Sequence, residues 1–384
     1  MYIHDRKEWP EFQWDQAALA VLMGEVRLLQ GHLLGYMEAL GFGASEEATL
    51  KTLTQDVVKT SEIEGEKLDD ESVRSSIARR LGMDLADTKP IDRNIEGIVE
   101  VMLDATGNYA ASLTQERLFD WHAALFPTGR SGMERITVAG WRTKQSGPMK
   151  VVSRPYGREK VHYEAPAYDR LEHEMAQFIN WFNAPSTVDP VIKAAIAHFW
   201  FVTIHPFDDG NGRIARAIAD LMLARSENSR HRFYSMSAQI QMERKEYYTV
   251  LEKCQKGPID ITPWIAWFLQ CMKRAIATSG NELEAVLVKA NFWHAHTGES
   301  FNDRQKTIIN RLFDGFEGKL TSSKWAKITK CSQDTALRDI GDLLDRHILA
   351  RAEGGGRSTS YTLCLPWNEK LLLHGQARRL KLDY

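Results

Sequence analysis

The sequence predicts a mainly α-helical protein with one small β-hairpin in its interior and a helix-plus-hairpin region at its C-terminal end. Three observations carry this. Apolar residues recur at helical spacing through most of the chain, as at Leu19, Leu22, Val26, Leu29 and Leu33. Residues 136–165 break that rhythm with two short β-like runs. Beyond Asp303, helical stretches give way to two strand-like runs separated by Glu-Gly-Gly-Gly-Arg.

Composition bounds the class. The 384 residues are 43% apolar and 26% charged, ordinary for a globular protein with ample core. The formal net charge of −2 gives no global attraction to nucleic acid or to an anionic membrane. The first residues lack an apolar h-region, and no apolar run approaches the ~18 residues of a membrane span. A cytoplasmic location with no membrane partner is therefore expected. The four cysteines are widely spaced, form no CxxC pair, and read as reduced thiols.

In chain order, an aromatic stretch, Trp9 to Asp15, precedes the first helix. Leu50, Leu53, Val57 and Thr60 mark a second, with Gly65 suited to follow its C-terminus. Val73, Ile77 and Leu81 mark a third. Ile95, Ile98, Val99 and Met102, then Leu118, Trp121, Leu125 and Phe126, mark two more. Met149–Ser153 and Lys160–Glu164 are the β-like runs, joined by the turn-rich 154–159. Leu171 to Phe182 is helical. Val191 to Ile204 is almost wholly apolar, longer than a usual strand, and stopped by Pro206. Ile214, Ile218, Leu221 and Met222 form the next helical stripe, and Ile259 to Met272 closes the core. The expected divisions are 1–95, a helical region; 96–275, the core; 276–300, a helical connector; and 301–384, a small C-terminal domain and basic tail.

The chemistry concentrates in His205-Pro-Phe-Asp-Asp-Gly-Asn-Gly-Arg-Ile-Ala-Arg216, a tight loop opening a helix. Gly210, Asn211 and Gly212 tolerate positive φ, and successive N–H groups at a helix N-terminus form an anion nest. Arg213 and Arg216 share one helix face and suit a polyphosphate. Asp209 offers a hard oxygen for Mg²⁺. His205 titrates near working pH and suits a general base. Together these residues spell transfer of a phosphorus-containing group to a hydroxyl.

The stretch matches every fixed position of HxFx(D/E)GNGRxxR and so resembles the signature of Fic-domain proteins. The resemblance implies a Fic-type helical core with a hairpin flap, and transfer of AMP from ATP, with Mg²⁺, to Ser, Thr or Tyr hydroxyls of target proteins. The chain itself is a possible target. It implies His205 as base, Asp209 as Mg²⁺ ligand, and Asp209, Gly210, Asn211, Gly212, Arg213 and Arg216 as nucleotide ligands. Tyr247, Tyr248 and Gln255 would lie beside the adenine, although the family often has asparagine where Gln255 stands. Thr60-Ser-Glu-Ile-Glu64-Gly65 resembles the family's inhibitory pattern (S/T)xxxE(G/N), which implies that Glu64 pairs with Arg216 and withholds it from the γ-phosphate. Lys150, Val151, Val152 and Ser153 resemble the flap strand on which a target segment docks. In some relatives the same glutamate supports AMP removal, an alternative role for Glu64.

The C-terminal helices and hairpin resemble a winged helix-turn-helix. Its second helix carries Asp334, Asp339 and Asp342 against Arg338, which disfavours phosphate contact. A protein-interaction or dimerising role is the expectation there, with DNA binding as an alternative and a nucleotide-sensing DNA-binding regulator as the competing function.

Overall fold

The computed structural model describes residues 1–39, 42–83, 92–153, 160–313, 316, 318–352 and 359–364. The turn expected at 154–159, the Gly-rich hairpin tip and the basic tail lie outside the described residues. Two compact units divide at Ser279 and Gly280.

The first unit opens with helices α1 (Gln16–Ala39), α2 (Phe42–Ile63), α3 (Asp70–Leu81), α4 (Arg93–Gly107) and α5 (Gln115–Leu125). Strands β1 (Arg130–Ser131) and β2 (Glu134–Arg135) form a minimal hairpin, and β3 (Lys150–Ser153) and β4 (Lys160–Glu164) a second one. Then come α6 (Leu171–Asn183), α7 (Pro190–Ile204), α8 (Asn211–Glu227), α9 (Met236–Met242), α10 (Arg244–Gln255) and α11 (Thr262–Ala295), whose residues from Gly280 onward belong to the second unit.

Helix α7 is the axis of this unit. Pro190 sits at its first turn, the Asp189 carboxylate caps the Val191 N–H at 2.8 Å, and every residue from Val191 to Ile204 is buried. Such a helix can exist only when enclosed on all sides. Helices α6 and α8 pack along it, and the Trp264 indole of α11 donates to the Ala195 carbonyl at 2.8 Å. The N-terminal aromatics join the same packing: Trp9 and Phe12 stand edge-on to Trp200, ring centroids 6.2 and 5.5 Å away.

Two expectations need correction. The connector at 276–300 is not a separate element through 295, because α11 continues unbroken from Thr262 to Ala295. Between Pro263 and Ala295 there is no proline and only one glycine, Gly280, which is too weak a signal to stop a helix. The expectation that no segment suits a membrane also fails on length and composition. Gln16–Gly35 of α1 is long and apolar enough to cross one. Leu19, Val26 and Leu33 of that segment are packed inside the unit.

The second unit holds α12 (Asp303–Phe313), α13 (Ser322–Thr329), α14 (Gln333–Asp345) and the antiparallel pair β5 (Leu349–Arg351) and β6 (Tyr361–Leu363). Its own core includes Ile308, Ile309, Trp325, Ala336, Ile340 and Leu343.

Candidate active site at the end of helix α7

The chain leaves α7 through His205, in the left-handed region at φ 52°, and enters α8 through Gly210, at φ +80°. Two left-handed residues five positions apart fold the intervening loop back sharply. A Cβ on Gly210 would also come within 2.9 Å of the Phe126 ring, so only glycine fits. The Asn211 side chain closes the loop from within: its Oδ1 accepts the Phe207 N–H at 2.9 Å and its Nδ2 donates to the Phe207 carbonyl at 2.8 Å. With both polar ends engaged on Phe207, the buried Asn211 side chain shapes the loop.

The two adjacent carboxylates separate cleanly. Asp208 accepts the Thr137 N–H (2.8 Å) and the Ser146 hydroxyl (2.6 Å), so it is structural. Asp209 accepts the Gly210 N–H at 2.6 Å and the Ser131 hydroxyl from β1. No cation pairs with Asp209 among the described residues, and no cluster of three His, Cys, Asp or Glu side chains suited to a metal is present among them. One oriented carboxylate beside a helix N-terminus fits Mg²⁺ held jointly with phosphate oxygens, and does not fit an all-protein cage.

His205 Nδ1 donates to the Val202 carbonyl at 3.1 Å, which leaves the Nε2 lone pair available. Burial, and to a lesser degree the nearby Arg142 cation, lower its pKa from the usual value, so the neutral, proton-accepting form prevails at neutral pH. The strained backbone at His205 is held by Arg142. Its Nε donates to the His205 carbonyl at 2.8 Å, its Nη2 to the Pro166 carbonyl, and its backbone N–H to the Pro206 carbonyl at 2.9 Å. His122 supports the loop from below. Its ring stacks on Phe207 at 4.1 Å, it accepts the Ala139 N–H, and it donates to the Asp209 carbonyl at 3.2 Å. Burial pushes His122 down to about 4, so it stays neutral.

Helix α2 reaches this site along a ladder. Asp56, Thr60 and Glu64, one turn apart, face Asp220, Arg216 and Gly212 of α8 in reverse order. Arg216 donates through Nε to the Thr60 hydroxyl (2.6 Å) and through Nη2 to the Thr60 carbonyl (3.0 Å) and Glu64 Oε1 (2.7 Å). A Cβ on Gly212 would stand 2.2 Å from that same oxygen. The Glu64 carboxylate therefore rests on the first turn of α8, where the helix dipole and Arg216 both favour an anion. Gly65 follows at φ +91° and turns the chain away. Arg213 donates to Glu66 at 3.0 Å.

The expected adenine contacts divide. Tyr248 is partly exposed, with the Arg244 guanidinium 5.7 Å above its ring. Tyr247 and Gln255 are buried: the Tyr247 hydroxyl pairs with His198 Nε2 at 3.0 Å and Gln255 with Thr203 at 3.3 Å. Both are turned inward, and Tyr247 also lies against Arg216. The flap strands pair as expected, Lys150 opposite Glu164 and Ser153 opposite Lys160, with a bulge between Val151 and Val152. The Tyr163 hydroxyl donates to the Thr203 carbonyl at 2.7 Å and anchors β4 two residues before His205. Among the described residues, the other edge of β3 pairs with no strand.

Arg142, His122 and Ser131 are missing from the sequence reading. Only Gly129 and Gly132 flanking Ser131 hinted at a tight turn there; nothing singled out the other two.

Comparison with known proteins agrees with this geometry. Residues 112–223 match the Fic/DOC family, and residues 2–83 match a domain of unknown function, DUF4172. A protein adenylyltransferase Fic from Nematostella vectensis is 35% identical over 113 residues, 29% of this chain and 25% of that protein. Protein adenylyltransferase fic-1 of Caenorhabditis briggsae is 36% identical over 105 residues, 27% of this chain and 19% of that one. The chain thus spans a quarter or less of the length of these relatives in its match to them. A Fic family protein from Desulfovibrio desulfuricans superposes with a TM-score of 0.50 at 20% identity, covering 90% of this chain and 95% of that one. A Fic-domain signaling protein from Bacteroides thetaiotaomicron gives 0.50 at 15%, covering 72% and 100%. Residues 112–223, with the loop between α7 and α8 near their C-terminal end, thus carry a Fic domain.

Proposed function

We propose that the protein is an adenylyltransferase that moves AMP from ATP to a hydroxyl of a target protein and is restrained by its own Glu64. The observation that carries this reading is the seat of the Glu64 carboxylate, on Gly212 and 2.7 Å from Arg216 Nη2, where the loop is built to receive phosphate. The names of the matched relatives support the transfer of AMP.

The residues divide the work as follows. The N–H groups opening α8, with Arg213 and Arg216, hold the triphosphate once Glu64 and Glu66 give way. Asp209, fixed by Ser131, would hold Mg²⁺, which would supply charge neutralisation for the phosphates. The unpaired edge of β3 takes an extended target segment main chain to main chain. His205 Nε2 accepts the proton of the target hydroxyl as its oxygen bonds to the α-phosphorus. The bond from that phosphorus to the bridging oxygen breaks, and pyrophosphate leaves. Arg142 keeps His205 aimed, because it ties the Pro166 carbonyl, two residues past β4, to the His205 carbonyl. The target, possible self-modification and a cytoplasmic setting belong to the same proposal.

The test is intact-mass spectrometry with Mg²⁺ and ATP on the unaltered protein, Glu64→Gly, and Glu64→Gly with His205→Ala, run beside labelled-ATP incorporation into a cell lysate. The expected result is AMP on protein with Glu64→Gly, little with the unaltered chain, and none with the double variant. Absence of label on any protein with every variant would refute the reading.

A further inference from the structure

Residues 280–384 fall outside both family matches, yet the described part of this unit is built for a definite partner. Helices α13 and α14 are joined by only Lys330, Cys331 and Ser332. Lys330 is left-handed at φ 51°, and the Ser332 hydroxyl caps the Thr335 N–H at 3.2 Å. Trp325 of α13 and Ala336, Ile340 and Leu343 of α14 share one core. The β5–β6 hairpin follows, with Leu320 bridging to Tyr361 as a third short edge. This is a helix-turn-helix with the base of a wing.

The charge pattern differs from the one the sequence suggested. Asp339 is 6% exposed, and its oxygens accept Arg304 Nε (2.7 Å), Arg304 Nη2 (3.0 Å) and Asn302 Nδ2 (2.9 Å). Asp342 is turned back to Gln305 (2.7 Å) and Arg346 (3.0 Å). Of the three carboxylates that argued against phosphate contact, Asp339 is thus buried and neutralised within the unit, and Asp342, though exposed, is paired with Arg346. The N-terminal half of α14 presents to solvent Gln333, Asp334, Leu337 (46% exposed) and Arg338, one continuous stripe at helical spacing, while Asp342 and Asp345 are exposed towards its C-terminal end. Exposed Lys319, Lys327 and Lys330 accompany it. None of these lysines, nor Arg338, has a side-chain partner among the described residues.

We propose that this unit binds duplex DNA, with α14 in the major groove and the lysines on phosphates. The stripe carries what base edges require: a guanidinium for guanine, an amide for adenine and an apolar side chain for a thymine methyl. An acidic protein surface would use the lysines but would leave Gln333 and Leu337 without purpose.

The test uses the full chain and a pool of randomised duplexes, with binding read by fluorescence anisotropy against salt and the bound pool sequenced. Lys327→Ala with Lys330→Ala should weaken binding evenly over all sequences and reduce the salt slope by about 2. Arg338→Ala should cost about 5- to 150-fold on the selected site and relax one position of it. These are exposed positions, and unchanged thermal melts will confirm folding. No duplex binding at low salt would overturn the proposal. So would binding that no α13 or α14 substitution alters, which would assign the affinity to the basic tail.

Discussion

Glu64 and Glu66 take one phosphate-facing arginine each, and burial sets how much each restrains. Arg216 is 2% exposed and its partner Glu64 31%. A charge-assisted hydrogen bond so placed is worth about 1.5–3 kcal/mol. Removing it by Glu64→Ala frees Arg216 and the first turn of α8, and should tighten ATP binding by about 10- to 100-fold. Glu66 is 53% exposed beside a buried Arg213, so solvent screens most of that pair. Its worth falls to about 0.2–1 kcal/mol, and Glu66→Ala should tighten ATP no more than about fivefold. High salt should shrink the Glu66 effect and spare much of the Glu64 effect. Calorimetric titration with Mg²⁺ and a non-hydrolysable ATP analogue measures both without turnover. Equal gains from the two variants would refute the burial argument. No gain from either, together with faster transfer, would show that these carboxylates act on the chemistry and not on phosphate binding.

Three further outcomes are expected. Arg142→Met should lower the transfer rate of the Glu64→Gly protein about 100-fold while nucleotide affinity holds, because the base is mis-aimed and the phosphate cradle is untouched; rate and affinity measured together check this. The acid limb of the transfer–pH profile should fall below pH 6.5, since the lowered pKa of His205 keeps it a neutral base into mildly acidic solution. Asp56 is raised well above the carboxylate range by burial and by the charge of Asp220, so its proton stabilises the fold. That contribution is complete below about pH 4 and is lost as pH climbs through the raised value, so Asp56→Asn should flatten the decline of thermal stability between acid and alkaline pH.

Much of the site was legible because its parts are contiguous. The loop 205–216 carries its base, carboxylate, glycines and arginines within three helical turns of chain, and Pro206 announced the break after α7. The Thr60–Glu64 spacing is one helical turn, so both residues necessarily share the face that meets Arg216. The flap strands were visible in their β-branched runs. What stayed hidden depends on tertiary contact. Arg142 is indistinguishable in sequence from a surface arginine, and only the fold reveals that it holds the His205 carbonyl. Asn211, Tyr247 and Gln255 have chemistry fit for a nucleotide, and only the fold reveals that they also bond to Phe207, His198 and Thr203. The charge tally on α14 could not show that Asp339 points inward to Arg304.

On the proposed function, the ladder between α2 and α8 would make Glu64 a competitor tethered to its own receptor. Its effective concentration is set by geometry, on the order of millimolar or above, and not by how much protein a cell contains. Dilution therefore cannot release it, and no second molecule has to be lost or found. Because Asp56 and Thr60 ride on α2 and Glu64 follows directly after its last residue, Ile63, the competitor would leave if α2 shifts as a body or ATP outbids it. A partner that grips α2 anywhere along its length could thus set the ATP level at which the protein responds.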